Sequence, residues 1–418
     1  MSKGHFMAEY YEPNLYMSSP GFPNTMGVFV TLGEPVDGDI LQEVVEELRE
    51  RFPYFYVRAR TDGNELVAEP NPLPMTVRNT WDPIDLRSEE ANYHLAAFKY
   101  EGKRLALEIS HALTDGAGVM PYVKSVMYLY LSRKTGQTFD PEGFRLPGSE
   151  IPESEIGDPF CGLDIDGAEP PLYQKEAESD FYRLSDGTET HRSFFLKLSE
   201  EQVMRYCKEN DASPNTVFAV FWAKAVRRAD PVSKKTLSVC VAVDHKAILG
   251  NTDNYRMFTD TAELDFPYDR DLSNITKACT VARGQLMLQT MPENALWTVK
   301  EKKARRVQMA QMPLQMKTEM TAKYAGIPRW SIAMSYANSR SFGPLDPYIE
   351  ELYVVSTPGV TDILCEIACI NQHFFLMVAQ TFSSEKYMDA FLAELADAGI
   401  ACEVMHTEDT NLCGVAAV

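Results

Sequence analysis

The stretch that decides the fold reads Leu105-Ala-Leu-Glu-Ile-Ser-His111-Ala-Leu-Thr-Asp115-Gly116-Ala-Gly118. Its first half alternates, with apolar side chains at 105, 107 and 109, and a two-residue period is the mark of a strand. The same parity carries His111 onto the face of the apolar row, so the imidazole is expected to point inward. Gly116 and Gly118 end the strand. Val119, Tyr122, Val123, Val126, Met127 and Tyr130 then mark one face of a helix reaching about Arg133. A histidine, an aspartate four residues on and an adjacent glycine thus share a strand-turn-helix corner.

Those residue types in that order carry a definite chemistry. Imidazole titrates near neutrality, so a neutral His111 can take a proton from an alcohol or amine as it attacks a thioester carbonyl. Asp115 is suited to a different task. At a sharp turn its carboxylate can pair with a cation or accept backbone hydrogen bonds, which fixes the corner and with it the orientation and tautomer of the imidazole. Gly116 is expected to permit the tight backbone.

Outward from this corner, 26–32 is rich in β-branched and aromatic residues and reads as a strand. A helix follows, with Leu41, Val44, Val45 and Leu48 at i, i+3, i+4 and i+7, Asp37 or Asp39 as cap and Pro53 beyond its end. Short strands are expected at 55–59, 65–69 and 96–100. Residues 140–180 hold six prolines and twelve acidic residues against Arg145 and Lys175, a composition with few backbone donors and little apolar surface for packing. Beyond it come a strand at 192–198, the S-x-x-Q capping pattern of Ser199 to Gln202, and a helix opened by Ser213-Pro214 with Phe218, Phe221, Trp222 and Ala225 as its stripe. Strands at 237–243, 331–336, 352–356, 362–369 and 374–379, and helices at 275–289, 296–309 and 384–398, complete the reading. Strands and helices mix without regular βαβ alternation, which favours α+β lobes with mixed or antiparallel sheets. With 418 residues, two lobes are expected: 1–139 carrying the histidine, an acidic proline-rich crossover at 140–182, and 183–418.

Composition narrows the function classes. Hydrophobic residues make up 45% of the chain and charged ones 24%, an ordinary globular balance. A net charge of -20 repels phosphate backbones and anionic headgroups, so nucleic acid is not an expected partner. The eight cysteines include no C-x-x-C pair, which suggests neither a zinc site nor a disulfide framework and fits a reducing cytoplasm. No stretch approaches the roughly 20 apolar residues that span a bilayer. The seven histidines show no H-x-x-x-H spacing, so no metal is expected.

The run from His111 to Gly118 resembles the signature of the acyl-CoA-dependent acyltransferase superfamily, which includes chloramphenicol acetyltransferase, BAHD acyltransferases, alcohol acetyltransferases and nonribosomal-peptide condensation domains. Val36-Asp37 through Leu48-Arg-Glu-Arg51-Phe52-Pro53 resembles that group's first helix and its ending. Val241-Ala-Val-Asp244-His-Lys246, with Gly250-Asn-Thr-Asp-Asn-Tyr255 after it, is similar to the segment that begins its second-lobe crossover. Two departures narrow the branch. Ser110 stands where condensation domains usually carry a second histidine, and the plant-type Asp-Phe-Gly-Trp-Gly motif is absent, with Ser341-Phe342-Gly343-Pro344-Leu345 at most a distant counterpart. The bacterial alcohol-acetyltransferase-like branch is the nearest resemblance.

The resemblance implies two chloramphenicol-acetyltransferase-like α+β lobes with an active-site channel between them and His111 midway along it. It implies transfer of an acetyl or short acyl group from acyl-CoA, a co-substrate and not a resident cofactor, to a small hydroxyl or amine acceptor. The transfer is direct, without an acyl-enzyme. On this reading Lys246 or Arg256 pairs with Asp115, and Ser335 and Asn338 are the candidate donors to the tetrahedral oxyanion. Lys302, Lys303, Arg305 and Arg306 form the densest basic run and are the candidates for the phosphates of CoA. Two other readings stay open: a standalone condensation-like enzyme whose partner is a carrier protein, and a noncatalytic recruitment module.

Overall fold

The computed structural model describes residues 13–18, 23–160, 162–173, 175, 180–185, 190–325, 327–337 and 341–410. The first half runs β1 (Thr25–Leu32), α1 (Gly38–Glu47), β2 (Val57–Asp62), β3 (Glu65–Pro70), β4 (Val77–Asn79), β5 (Ala96–Glu101), β6 (Arg104–Ser110) and α2 (Gly116–Thr135). A strap with one turn of helix, α3 (Glu153–Ile156), leads into β7 (Arg192–Ser199), α4 (Glu200–Glu209), α5 (Pro214–Ala229), β8 (Leu237–Asp244), α6 (His245–Leu249) and β9 (Thr259–Phe266). The chain continues through α7 (Ile275–Gln289), α8 (Pro292–Ala310), α9 (Leu314–Ala325), β10 (Trp330–Tyr336), β11 (Ile349–Ser356), β12 (Thr361–Ile370), β13 (His373–Gln380), α10 (Lys386–Asp397) and β14 (Cys402–Glu408).

Local chemistry sets several of these boundaries as expected. The Asp37 carboxylate caps α1 by accepting from the backbone of Asp39 and Ile40 at 3.1 and 3.2 Å, and Leu41, Val44 and Val45 turn fully inward. Ser199 caps α4, and Ser213 caps α5 in a box with Thr216, with Pro214 opening the helix.

The strands form two mixed sheets and a β2–β3 hairpin. The first sheet has the order β11-β1-β6-β5-β4 and is antiparallel except for the β4–β5 pair. The second has the order β14-β7-β13-β12-β10-β8-β9, with β8, β10 and β12 parallel to one another. Segregated mixed sheets with flanking helices make this an α+β molecule of two lobes. Central strands of the second sheet bury both faces. Ile363, Cys365 and Ile367 pack outward with α5 and α10, whereas Ala368, Ile370, Phe375 and Met377 join the core shared with the first sheet.

Residues 349–356, placed by sequence order in the C-terminal lobe, form the edge strand of the first sheet, where Met26 pairs with Ser356 and Val28 with Val354. Strand pairing is a non-local property that the local pattern does not encode. The proline-rich segment 140–182, expected to pack little, drives a carboxylate into the interior. Glu155 is fully buried and receives Arg51 through two bonds of 2.7 and 2.9 Å and Arg145 at 3.0 Å, with the Tyr54 hydroxyl as a further donor. This ion cluster seats the strap together with the apolar side chains of Phe144, Leu146, Ile156 and Ile165.

Candidate active site

β6 delivers the histidine. Antiparallel pairing with β1 sets Ser110 opposite Thr25, and one residue later the chain leaves the sheet, so His111 lies in the turn, its N–H donating 2.9 Å to the Asn24 carbonyl. The alternation that pointed His111 inward is incomplete as a description. Both faces of β6 are buried, and Glu108 on the second face is ion-paired with the equally buried Lys99. The imidazole itself is half-buried, with Nδ1 3.1 Å from the Thr114 carbonyl oxygen. A carbonyl oxygen can only accept, so Nδ1 carries the proton and Nε2 is left with its lone pair. Burial lowers the pKa of His111 below the ordinary 6.5, against smaller opposing effects of the Thr114 hydrogen bond and the Asp115 charge. The ring is therefore neutral at neutral pH, with Nε2 able to accept a proton.

Asp115 sits 2% exposed at the start of α2 and is saturated with donors. Its Oδ1 accepts from the Gly118 backbone at 2.8 Å and from Lys246 Nζ at 2.6 Å, and its Oδ2 accepts from the Phe258 backbone at 2.9 Å and the Thr259 hydroxyl at 3.3 Å. The carboxylate thus caps one helix of the first lobe and binds three residues of the second. Thr114 adds a parallel tie, its hydroxyl donating 2.6 Å to the Tyr255 carbonyl.

Of the two cations expected beside Asp115, the structure brings Lys246 there and not Arg256. Arg256 instead donates to the carbonyls of Ile156 and Gly157 at 2.8 and 2.9 Å, because the strap leaves those oxygens without helical partners. Gly116 is likewise corrected as the tight position. It has no positive φ, and a Cβ there would meet Ala337 Cβ at an ordinary 3.8 Å. The close approach is at Gly118, where a Cβ would stand 2.1 Å from the Tyr255 carbonyl oxygen and 2.4 Å from the Thr114 hydroxyl.

Ser335 lies near the end of β10, opposite Glu366 on β12, and Ala337, just past that strand end, is the residue that a Cβ on Gly116 would meet, so the strand end lies close to the histidine corner. Asn338 lies outside the described residues. The basic run on α8 is largely spoken for by acids. Lys302 is 2.9 Å from Asp260 and Lys303 3.8 Å from Asp166. Lys303 and Arg306 face Asp158, Asp164 and Asp166 across a cavity of about 170 Å³. Among the described residues no group of three or more His, Cys, Asp or Glu side chains is placed to hold a metal ion, and no helix is long and apolar enough to cross a membrane.

No family model matches this sequence, and no curated protein does. Solved structures do. Polyketide synthase associated protein 5 from Mycobacterium tuberculosis superposes with a TM-score of 0.60 at 15% identity, over 92% of this chain and 95% of that one. TRI101 of F. sporotrichioides, solved with coenzyme A and T-2, gives 0.56 at 13% identity over 91% and 96%. The starter condensation domain of rhizomide synthetase, solved with C8-CoA, gives 0.58 at 14% over 97% and 94%. The chain has their fold. It is the two-lobed architecture of CoA-dependent acyltransferases and condensation domains, and the match runs through both lobes.

Proposed function

We propose that this chain transfers an acyl group from a CoA thioester to a hydroxyl or amine, with His111 as general base. One observation carries the reading: at the junction of the lobes, Thr114 holds the Nδ1 proton and leaves Nε2 basic. The acceptor proton passes to Nε2 as its oxygen or nitrogen bonds to the thioester carbonyl carbon. The tetrahedral oxyanion then collapses, the carbon–sulfur bond breaks, and the imidazolium proton leaves with the thiolate as free CoA. No side-chain nucleophile is acylated. The Ser335 hydroxyl is our candidate oxyanion donor, and Asp115 with Lys246 holds the corner that aims the ring. For the CoA phosphates Arg305 is the better candidate, since Lys302, Lys303 and Arg306 face acids.

A screen of acyl-CoAs against alcohols and amines, read by thiol release, tests this. Thiol release that depends on both substrates is expected. A burst of covalently acylated protein would exclude direct transfer. The condensation-like alternative is supported by the likeness of the whole chain to a condensation domain, that of rhizomide synthetase. It predicts turnover with acylated carrier protein and none with free acyl-CoA, and the recruitment reading predicts turnover with neither.

A further inference from the structure

Glu366 is 5% exposed in the middle of β12. Its neighbours Cys365 and Ile367 belong to the outer core, so its own side chain points to the opposite face, toward the first sheet and the lobe junction. Register sets it between Ser335 on β10 and Met377 on β13. Ser356, at the end of β11, supplies the third wall, and the nearby hydroxyls of Ser335 and Ser356 favour the ionised carboxyl. No cation is among these neighbours, and the other titratable group beside Glu366 is the Cys365 thiol on the opposite face. Glu366 Oε2 and Ser356 Oγ are each buried with no completed hydrogen bond, so this corner has polar capacity to spare. Burial pushes the Glu366 pKa above 4.5, opposed by the two serines alone.

The protonation state of Glu366 fixes what Ser335 can do. A carboxylate only accepts, whereas a neutral acid also donates one proton, and a serine hydroxyl has a single proton to give. Facing a carboxylate, Ser335 spends that proton on Glu366 and offers lone pairs to anything else. Facing a neutral acid, Ser335 accepts from Glu366 and keeps its proton for a third atom.

We infer that Glu366 is a positioning residue: as a neutral acid donating to Ser335 Oγ, it leaves the Ser335 proton directed at the acyl oxygen, and on ionising it withdraws that donor. The inference rests on Ser335 being the oxyanion donor of the proposed transfer. It adds an alkaline limb to the rate profile that the histidine alone does not produce.

The test compares pH profiles of kcat for wild type, Glu366→Gln and Ser335→Ala. Glutamine is nearly isosteric, and its NH2 donates to Ser335 at every pH. Glu366→Gln should keep most of the neutral-pH rate and lose the alkaline fall, while the acid limb from His111 stays. Ser335→Ala should cost roughly 10²- to 10³-fold, the usual worth of one oxyanion donor, and should also lack the alkaline limb. An unchanged alkaline limb in Glu366→Gln overturns the inference, as does a wild-type profile with no such limb. Full turnover in Ser335→Ala instead removes the underlying assignment of Ser335. Should Glu366→Gln fail to fold, infrared difference spectra of wild type across the same limb decide the matter. A protonated-carboxyl band that disappears with the rate supports the inference, and its absence at neutral pH sinks it.

Discussion

At the scale of single residues, the site depends on which nitrogen of His111 is free. His111→Ala should lower kcat by roughly 10²- to 10⁴-fold, the usual worth of a general base, with little change in thermal stability. The pH dependence has a definite sign. Because burial lowers the His111 pKa below 6.5, kcat/KM should fall as acid protonates Nε2, at a pH lower than for a free imidazole. The unfolded chain takes up that proton first. The contribution of His111 to stability is therefore complete above pH 6.5 and declines below it until the folded ring is also protonated, a slope that pH-dependent denaturant melts can read. Glu366 has the opposite sense. Its raised pKa gives stability that is whole below 4.5 and lost as pH rises through the folded value, and Glu366→Gln should flatten that slope. His111, Asp115 and Lys246 were legible in the sequence because each belongs to a short stretch with its own pattern. Glu366 was not, since one acid inside an apolar strand reads as an irregularity until register sets it beside two serines.

At the scale of elements, the corner between β6 and α2 is held by groups distant in sequence. Breaking a buried pair strands the surviving charge, so Lys246→Met should cost about 3–5 kcal/mol in chemical denaturation, with activity falling alongside. Asp115→Asn leaves Lys246 buried without its counter-charge and should lower both kcat and stability. Unaltered kcat in that variant would contradict the orienting role. Gly118→Ala should also destabilise, although alanine ordinarily favours a helix by about 1 kcal/mol, because the new methyl runs into the Tyr255 carbonyl. Periodicity could not distinguish Gly116 from Gly118. The obstacle is a backbone oxygen from the other lobe. The same limit explains which elements were missed. The edge strand β14 and three-residue β4 carry mostly polar or exposed side chains and give little signal. In α9 the buried positions include Lys317 and Thr321, while Met316, Met320 and Tyr324 stand exposed, which inverts the pattern a globular helix normally shows. β9 was readable in retrospect, with Ala262, Leu264 and Phe266 alternating inward between polar residues.

At the scale of the whole molecule, the strap and β11 join the lobes by different physics. The strap combines apolar packing with a buried ion cluster, in which Arg51, Arg145 and Tyr54 converge on Glu155. Arg51→Ala removes the bidentate partner and should lower the denaturation midpoint more than Arg145→Ala, since Arg145 is more exposed and makes a single contact with this carboxylate. β11 is a ladder, paired with β1 in regular register from Met26 to Thr31 and shifted by one residue at Leu32. The ladder keeps β11 with the first sheet while β10 and β12, its neighbours in sequence, belong to the second, so any parting of the lobes has to bend the chain at the two connections that flank β11. A chain nicked by protease between 183 and 192 should still travel as one particle in gel filtration.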